Sequence, residues 1–131
     1  MSTSDAAAAN RAFYEAFARG DLAAMDDLWA RRHPVACIHP GWPALLERRS
    51  VMASWADILA AGPPPIRAED ARVRLYGPLA LVICRERVGA HELAATNAFV
   101  REDGAWRMVL HQAGPAARIA AGPAPRVRRL H

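Results

Sequence analysis

The chain has 131 residues, of which 53% are hydrophobic and 23% are charged. This length predicts one domain with a core of its own, and the composition excludes disordered, collagen-like and coiled-coil chains. The net charge of +4 comes from four arginines in residues 116–131, so the rest of the sequence is neutral and lacks the basic stripe of a nucleic-acid-binding surface.

The sequence lacks the features of a membrane or secreted protein. Its longest strongly apolar run, residues 79–84, is far shorter than the roughly 20 residues that span a bilayer. Residues 1–10 are small and acidic, unlike a secretory signal. We therefore expect a cytoplasmic protein that binds neither membrane nor nucleic acid. Cys37 and Cys84 lie in apolar runs, which favours buried reduced thiols over a disulfide across the core.

Two helices are predicted at the start of the chain. Ser4 or Asp5 can cap the first, whose apolar residues recur at the three-to-four spacing of one helical face. Gly20 ends this helix, and Asp21 caps a second, shorter one. Because the connection is so brief, the two helices are expected to pack against each other.

A short extended piece over residues 35–39 follows, and then a loop over residues 40–49. The loop contains Pro, Gly, Trp and Pro in succession, which neither a helix nor a strand tolerates. Ser50 is predicted to cap a third helix, which ends at Gly62 before three consecutive prolines.

After the prolines the hydrophobic period changes from helical to alternating. This change predicts four strands, at residues 67–76, 79–88, 92–101 and 105–113. Asp103-Gly104 is a strong hairpin signal, so the last two strands are expected to pair antiparallel. Helices followed by an antiparallel meander indicate an α+β fold, with the helices on one face of a curved sheet. Helices fill a strongly bent sheet incompletely, so we expect a ligand-binding cavity between them.

Several segments of the sequence together resemble one family. They are Cys-Ile-His-Pro-Gly-Trp at 37–42, Ser-Trp at 54–55, Ala-Thr-Asn-Ala-Phe at 95–99, and the closing segment at 103–115. Their order resembles that of the SnoaL-like branch of the NTF2-like superfamily. The resemblance implies a cone-shaped α+β barrel of three helices and a strongly curved sheet, with a pocket at the open end. It also implies a homodimer.

The resemblance covers residues 8–115, so we expect a single domain at 1–115 and a tail rich in Pro, Gly and Arg at 116–131. The wider superfamily includes ketosteroid isomerase, scytalone dehydratase and polyketide cyclases beside non-catalytic binding proteins, so the fold alone does not define the function. Members of this subfamily often close the last strand with two histidines and a serine before the proline. Here His111 is followed by Gln112, whose amide does not carry a proton at neutral pH.

Two polar residues stand among apolar neighbours on the predicted strands. Alternation places Glu86 on the apolar side of its strand and Arg85 and Arg87 on the other side. Such a carboxylate either lies in a pocket with a raised pKa, as a candidate acid or base, or pairs with an arginine, which is the commoner outcome. Asn97 also lies in an apolar row, so its amide must bond to the protein or to a ligand carbonyl or hydroxyl.

A histidine and three aromatic residues are further candidates. His39 lies in a turn stiffened by Pro and Gly, where it acts as a base or donor or else stabilises the turn. Trp42 and Trp55 could form a flat wall for a ring-shaped ligand, or each could fill the core. Tyr14 is offset from the apolar stripe of its helix, so its hydroxyl reaches either a pocket or solvent.

The last strand offers His111 and Gln112, which alternate to opposite sides. Periodicity leaves open which side faces inward, because both sides mix polar and apolar residues. The family resemblance implies that this region lines the pocket, with His111 ahead of Gln112.

Metal and cofactor signals are weak. His33, Cys37 and His39 are close in sequence but lack the paired spacing of a zinc site, so no metal is predicted. The sequence contains neither a phosphate loop nor a dinucleotide fingerprint nor a hydrolase elbow, so no cofactor is predicted.

The sequence therefore predicts a conical pocket that binds a small molecule, apolar or of mixed polarity. As an enzyme, the protein would perform a cofactor-free isomerisation, dehydration or cyclisation by proton transfer. His39 or Glu86 would be the base, and Asn97 would polarise a carbonyl. The alternative, favoured by Gln112, is a non-catalytic module for ligand binding, dimerisation or protein interaction. The catalytic candidates are His39, Glu86 and His111; the ligand-binding candidates are Tyr14, Trp42, Trp55, Asn97 and Gln112.

Overall fold

The structure, a computed structural model, describes residues 2–62 and 64–117. Its helices are α1 (Thr3–Arg19), α2 (Leu22–Leu28) and α3 (Arg48–Ala60), and its strands are β1 (Ala36–Ile38), β2 (Ile66–Tyr76), β3 (Leu79–Val88), β4 (His91–Glu102) and β5 (Ala105–Pro115). The strands form one sheet in the order β1-β5-β4-β3-β2. Strands β2 to β5 are the predicted antiparallel meander, and β1 pairs with β5 in parallel. The α+β prediction is therefore confirmed.

The first helix begins earlier than the sequence pattern predicts. Its cap is Ser2, whose hydroxyl accepts from the Asp5 backbone N–H while the Asp5 carboxylate accepts from the Ser2 backbone N–H. The expectation that Ser4 or Asp5 is the cap is wrong, because Asp5 is the third helical residue of this capping box. The end is as predicted: Gly20 adopts a left-handed conformation with φ of 66°, and Asp21 caps α2.

Ser50 does not cap α3. The helix begins at Arg48, and the Ser50 hydroxyl donates to the Glu47 carbonyl within the first turn, at 2.8 Å. The start of the helix is instead fixed by Arg48, whose guanidinium donates to three backbone carbonyls at the end of α2, those of Asp26, Trp29 and Ala30. A long-range clamp therefore replaces the local cap that the sequence suggested.

A β-bulge in β5 decides which residues of that strand face the helices. Val109 is the extra residue, because Ala98 pairs with Leu110 while the next residue of β4, Phe99, pairs with Met108. Met108 is buried on the helix side before the bulge, and His111 is buried after it. The bulge therefore shifts the inward–outward alternation of β5 by one residue. Bulges of this kind also bend the sheet.

The helices cover one face of the sheet, and aromatic rings occupy part of the space between. Phe13 of α1 lies at the centre, with its ring centroid 5.5 Å from that of Trp55 and 4.8 Å from that of His111. Cys37 and Cys84 are buried and unbridged. The tail predicted at 116–131 lies outside the described residues, apart from its first two. Within the described part of the chain, the helices are too short or too polar to cross a membrane.

Candidate functional site

A cavity of about 210 Å³ lies between the helices and the concave face of the sheet. Most of its lining is apolar, as expected for a site that binds small organic molecules. Three titratable side chains interrupt this lining, namely His39 after β1, Glu86 on β3 and His111 on β5. Each of them is at most 4% exposed. The structure therefore brings the three catalytic candidates together at one place.

Glu86 is the acidic group of the cavity. Burial raises the pKa of its carboxyl, and this rise is partly opposed by the Tyr14 hydroxyl, which donates to Glu86 Oε2 at 2.7 Å. Arg85 and Arg87 lie on the exposed face of β3, as alternation predicts. The ion pair with an arginine, expected as the commoner outcome, does not form in the described structure. Glu86 is instead a pocket carboxyl that holds its proton to higher pH than usual.

His111 faces Glu86 with one ring nitrogen and the protein with the other. Its Nδ1–H donates to Asn97 Oδ1 at 2.7 Å, which leaves the lone pair on Nε2, 3.9 Å from Glu86 Oε2. Burial, together with the nearby His39, lowers the pKa of His111 to about 3. The separation from Glu86 would allow an ion pair, but burial disfavours the charged form of each partner, so a neutral imidazole faces the carboxyl.

Asn97 positions His111 through a hydrogen bond and does not itself line the cavity. Its Nδ2 group donates to Asn10 Oδ1 at 2.8 Å and to the Tyr14 hydroxyl at 3.1 Å, while its Oδ1 accepts from His111. Both donors and the acceptor are thus engaged within the protein. Of the two alternatives for this amide, bonding to the protein is the one observed, and polarisation of a ligand carbonyl does not fit this position.

His39 is oriented by a residue that the sequence reasoning missed. Ser54 on α3 donates its hydroxyl hydrogen to the Val51 carbonyl at 2.6 Å, so its oxygen accepts from His39 Nε2–H at 2.9 Å. The lone pair of the imidazole therefore lies on Nδ1. Burial lowers the pKa of His39 to about 4, so the ring is a neutral base near pH 7.

Asn10 is the other missed residue, and it is 2% exposed. It stands in an alanine-rich stretch of α1, where a lone asparagine gives little signal. Its position four residues before Tyr14 places both on one face of the helix, and this spacing could have identified the polar pair. Tyr14 does not line this cavity, and its hydroxyl contacts the Glu86 carboxyl.

The two tryptophans differ in their relation to the cavity. Trp42 lines its mouth, is 44% exposed, and has its ring centroid 4.8 Å from that of His39. Trp55 is fully buried, with its ring centroid 4.9 Å from that of His39, and does not line the cavity. They flank His39 and do not form one continuous wall. Gln112 is exposed on the outer face of the sheet, so the prediction that it lines the pocket is wrong.

The residues considered as metal ligands do not converge. His33 bonds to Glu102, whereas Cys37 Sγ lies 3.5 Å from His39 Nε2. Burial raises the pKa of the Cys37 thiol to about 12, so it stays protonated. Within residues 2–62 and 64–117, three or more His, Cys, Asp or Glu side chains do not cluster in a way that could hold a metal ion.

This fold and site define a conical α+β barrel with a cavity lined by three titratable side chains, and comparison with known proteins identifies the family. The family model for the SnoaL-like domain matches residues 6–118, so the chain belongs to the SnoaL-like family of the NTF2-like superfamily. Among curated proteins, none matches the chain.

Solved structures agree with this assignment. A candidate dehydratase of the NTF2-like family from Streptomyces avermitilis is 34% identical, with 88% of this chain and 96% of that chain covered and a TM-score of 0.79. A candidate calcium/calmodulin-dependent protein kinase type II association domain from Thiobacillus denitrificans is also 34% identical, with 85% and 94% covered and a TM-score of 0.75. An NTF2-like protein of unknown function from Pseudomonas putida, 15% identical over 98% and 95%, shares the fold with a TM-score of 0.70.

Proposed function

We propose that the protein is a cofactor-free enzyme that moves protons on a small carbonyl compound, in an isomerisation or a dehydration. The observation that carries the proposal is that His39, Glu86 and His111 line one apolar cavity, where burial lowers the pKa of both histidines and raises that of the carboxyl. A neutral imidazole and a carboxyl with a raised pKa, together in one apolar site, are the base and the acid that such reactions need. The 34% identical candidate dehydratase adds support.

In the proposed reaction, His39 Nδ1 takes the proton from the carbon next to the carbonyl. Glu86 donates its proton to the carbonyl oxygen in an enolisation, or to a β-hydroxyl that leaves as water in a dehydration. One proton has then moved from Glu86 to the substrate and one from the substrate to His39. Transfer of a proton from the imidazolium back to the carboxylate, through solvent, restores the enzyme.

The size of the cavity limits the substrate. Sites for drug-sized ligands usually enclose about 300–1,000 Å³, whereas this cavity encloses about 210 Å³. We therefore propose a substrate of one ring or a short branched chain, with its apolar part against Phe17, Ile58 and Leu93 and its oxygen toward Glu86.

Hydrogen exchange of cyclohexanone in D₂O, followed by proton NMR, tests the proposed chemistry without knowledge of the natural substrate. Enolisation replaces the α-hydrogens with deuterium, so the protein should accelerate the loss of their signal over buffer. The same experiment with 3-hydroxycyclohexanone should also yield cyclohexenone and water. Exchange at the buffer rate with wild-type protein, or equal exchange by the His39→Ala variant, would rule out this function.

A second candidate function, self-association, is favoured by the outer face of the sheet. Leu81, Ala98 and Leu110 lie directly opposite one another across β3, β4 and β5, and the neighbouring Ile83 is 42% exposed. The homodimer implied by the family resemblance would cover this face, and the 34% identical candidate association domain agrees with such a role.

Sedimentation equilibrium tests the dimer. Ile83→Glu should shift the protein to monomer, because it places a charge on the proposed interface, next to the apolar row. The control is Leu46→Glu, which makes the same substitution at a 65% exposed loop residue away from the sheet and should leave the mass unchanged. A monomeric wild-type protein, or an equal effect of both variants, would exclude this interface.

A further inference from the structure

The wall between the cavity and the outside of the protein is thin at one residue. Ile66, the first residue of β2, lines the cavity and also lines two open hollows on the outer surface, of about 330 and 380 Å³. Its side chain is buried, with 7% exposure. On this side of the cavity, away from the mouth at Trp42, a single isoleucine therefore stands between the cavity and the open surface.

A second contact also shows that the cavity and the 330 Å³ hollow lie close together. Tyr14 lines the 330 Å³ hollow, Glu86 lines the cavity, and the two are joined by the 2.7 Å hydrogen bond. Ala68, which pairs with Glu86 across β2 and β3, also lines the hollow. The wall beside Ile66 is thus no more than one pair of side chains thick.

The lining of the 330 Å³ hollow suits an alkyl chain. Ala18, Ala68 and Ala71 give it an apolar lining, and Arg11 and Arg67 lie at its polar parts together with Glu15. An arm that extended from a ring in the cavity would reach this surface directly if the Ile66 side chain were absent. Its methylene groups would then gain apolar contact instead of clashing.

We infer that Ile66 is the specificity-determining residue of the cavity, which excludes ring ketones that carry an arm longer than a few carbons. The inference rests on the proposed function, because it takes the cavity as the substrate site. It assigns the substrate class more narrowly, as a compact ring or short branched carbonyl compound that ends at Ile66.

The test uses a series of 2-alkylcyclohexanones, from methyl to hexyl, with dissociation constants measured by ligand-observed NMR. Wild-type affinity should rise over the first carbons of the arm and then fall. In Ile66→Ala the affinity should continue to rise, by about fourfold for each added methylene, as expected for transfer of a methylene out of water.

Ile58→Ala is the matched control. Ile58 also lines the cavity but neither outer hollow, so its truncation removes the same atoms and enlarges the cavity without opening it toward either hollow. This variant should move the length limit by the deleted volume only, and hexylcyclohexanone should remain excluded. Equal shifts of the limit in both variants, or no shift in either, would overturn the inference.

A measurement without ligand keeps the inference testable when the probes do not bind. In Ile66→Ala, water from the outer hollow should reach Glu86, so the carboxyl should titrate at lower pH by carbon-13 NMR than in wild type. Ile58→Ala should lack this effect. An unchanged Glu86 titration in Ile66→Ala would overturn the inference, and Ile66→Val serves in both experiments should the alanine variant fail to fold.

Different results would contradict the proposed function and the inference about Ile66. Absence of cyclohexanone exchange by wild-type protein contradicts the proposed function, while the Glu86 titration still tests the wall. Exchange of cyclohexanone with an identical length limit in wild type and Ile66→Ala contradicts the wall and leaves the proposed function standing.

Discussion

Within the part of the chain that the structure describes, two buried carboxyls each face a histidine, and their pKa values are shifted in opposite directions. Glu86, on β3, pairs with Leu93 near the start of β4 and accepts one hydrogen bond, from Tyr14. Glu102 lies at the other end of β4 and accepts from His33 Nδ1 and from two backbone N–H groups.

The number of donors decides the difference. Burial works against the charge of both carboxyls, but for Glu102 the hydrogen bonds from the Arg31 and Arg32 backbones and from His33 outweigh it and lower the pKa to about 2. For Glu86 a single hydroxyl does not outweigh burial, and the pKa rises. The comparison shows that backbone donors around a buried carboxyl–histidine pair make it a structural clip with a charged carboxylate, whereas a single hydroxyl donor leaves the carboxyl with the raised pKa that burial imposes.

The largest expected effect separates the two pairs by activity. Glu86→Gln removes the proposed proton donor at nearly constant shape, so exchange of cyclohexanone should slow by about 10²- to 10⁴-fold. Glu102→Gln, the same substitution in the clip, should leave the exchange rate per folded molecule unchanged. Circular dichroism before each NMR assay confirms that both variants are folded. Equal losses in the two variants would contradict the distinction.

The same two variants should differ in stability with opposite signs. The folded-state pKa of Glu102 is about 2, below the value of 4.5 for a free side chain, so its contribution is present above pH 4.5 and is lost as the pH falls toward 2. Glu102→Gln should therefore lose about 3 kcal/mol at pH 7. The folded-state pKa of Glu86 is raised, so its ionisation opposes folding at neutral pH, and Glu86→Gln should be more stable than wild type there.

Urea denaturation at pH 7 and pH 3 checks this prediction. Both differences should shrink at pH 3, because the unfolded-state carboxyls are then mostly protonated. A destabilised Glu86→Gln at pH 7 would show that Glu86 is a clip like Glu102.

The histidines of the cavity should make the protein sensitive to mild acid. The pKa of His39 is lowered to about 4, so the neutral ring contributes stability above pH 6.5 that is lost as the pH falls toward 4. The slope for one such group approaches about 1.4 kcal/mol per pH unit. His39→Gln should flatten the stability curve between pH 6 and pH 4.5, and His91→Gln, at an exposed residue, should not. Chemical denaturation at several pH values measures both slopes.

Local sequence signals predicted the elements well, but not the first residues of α1 and α3. Alternation located β3 at its observed bounds, because its inward side chains are apolar apart from Glu86. The start of α3 was missed, because Arg48 fixes it through carbonyls about twenty residues away. Such a clamp depends on tertiary packing, which propensities near the helix do not encode.

The site was predictable as a set of residues but not as an arrangement. His39, Glu86 and His111 could each be chosen as a polar group in an apolar or rigid segment. Their convergence depends on the sheet's register and on the bulge at Val109, which breaks the alternation of β5. Asn10 bonds to Asn97, which lies far away in the sequence, and the Ser54 hydroxyl bonds to both the Val51 carbonyl and His39. A single asparagine or serine in the sequence gives little indication of such partners.

The smallest expected effect tests the assignment of faces in β5. Gln112 lies after the bulge on the outer face, opposite Thr96, while its neighbour His111 faces the cavity. Gln112→Ala should therefore change stability by no more than about 0.5 kcal/mol and leave cyclohexanone exchange unchanged. Because Thr96 in turn lies opposite Ile83, any effect of this substitution should appear in sedimentation equilibrium, through the proposed dimer. Slower exchange with an unchanged dimer would place Gln112 on the cavity side and contradict the observed register.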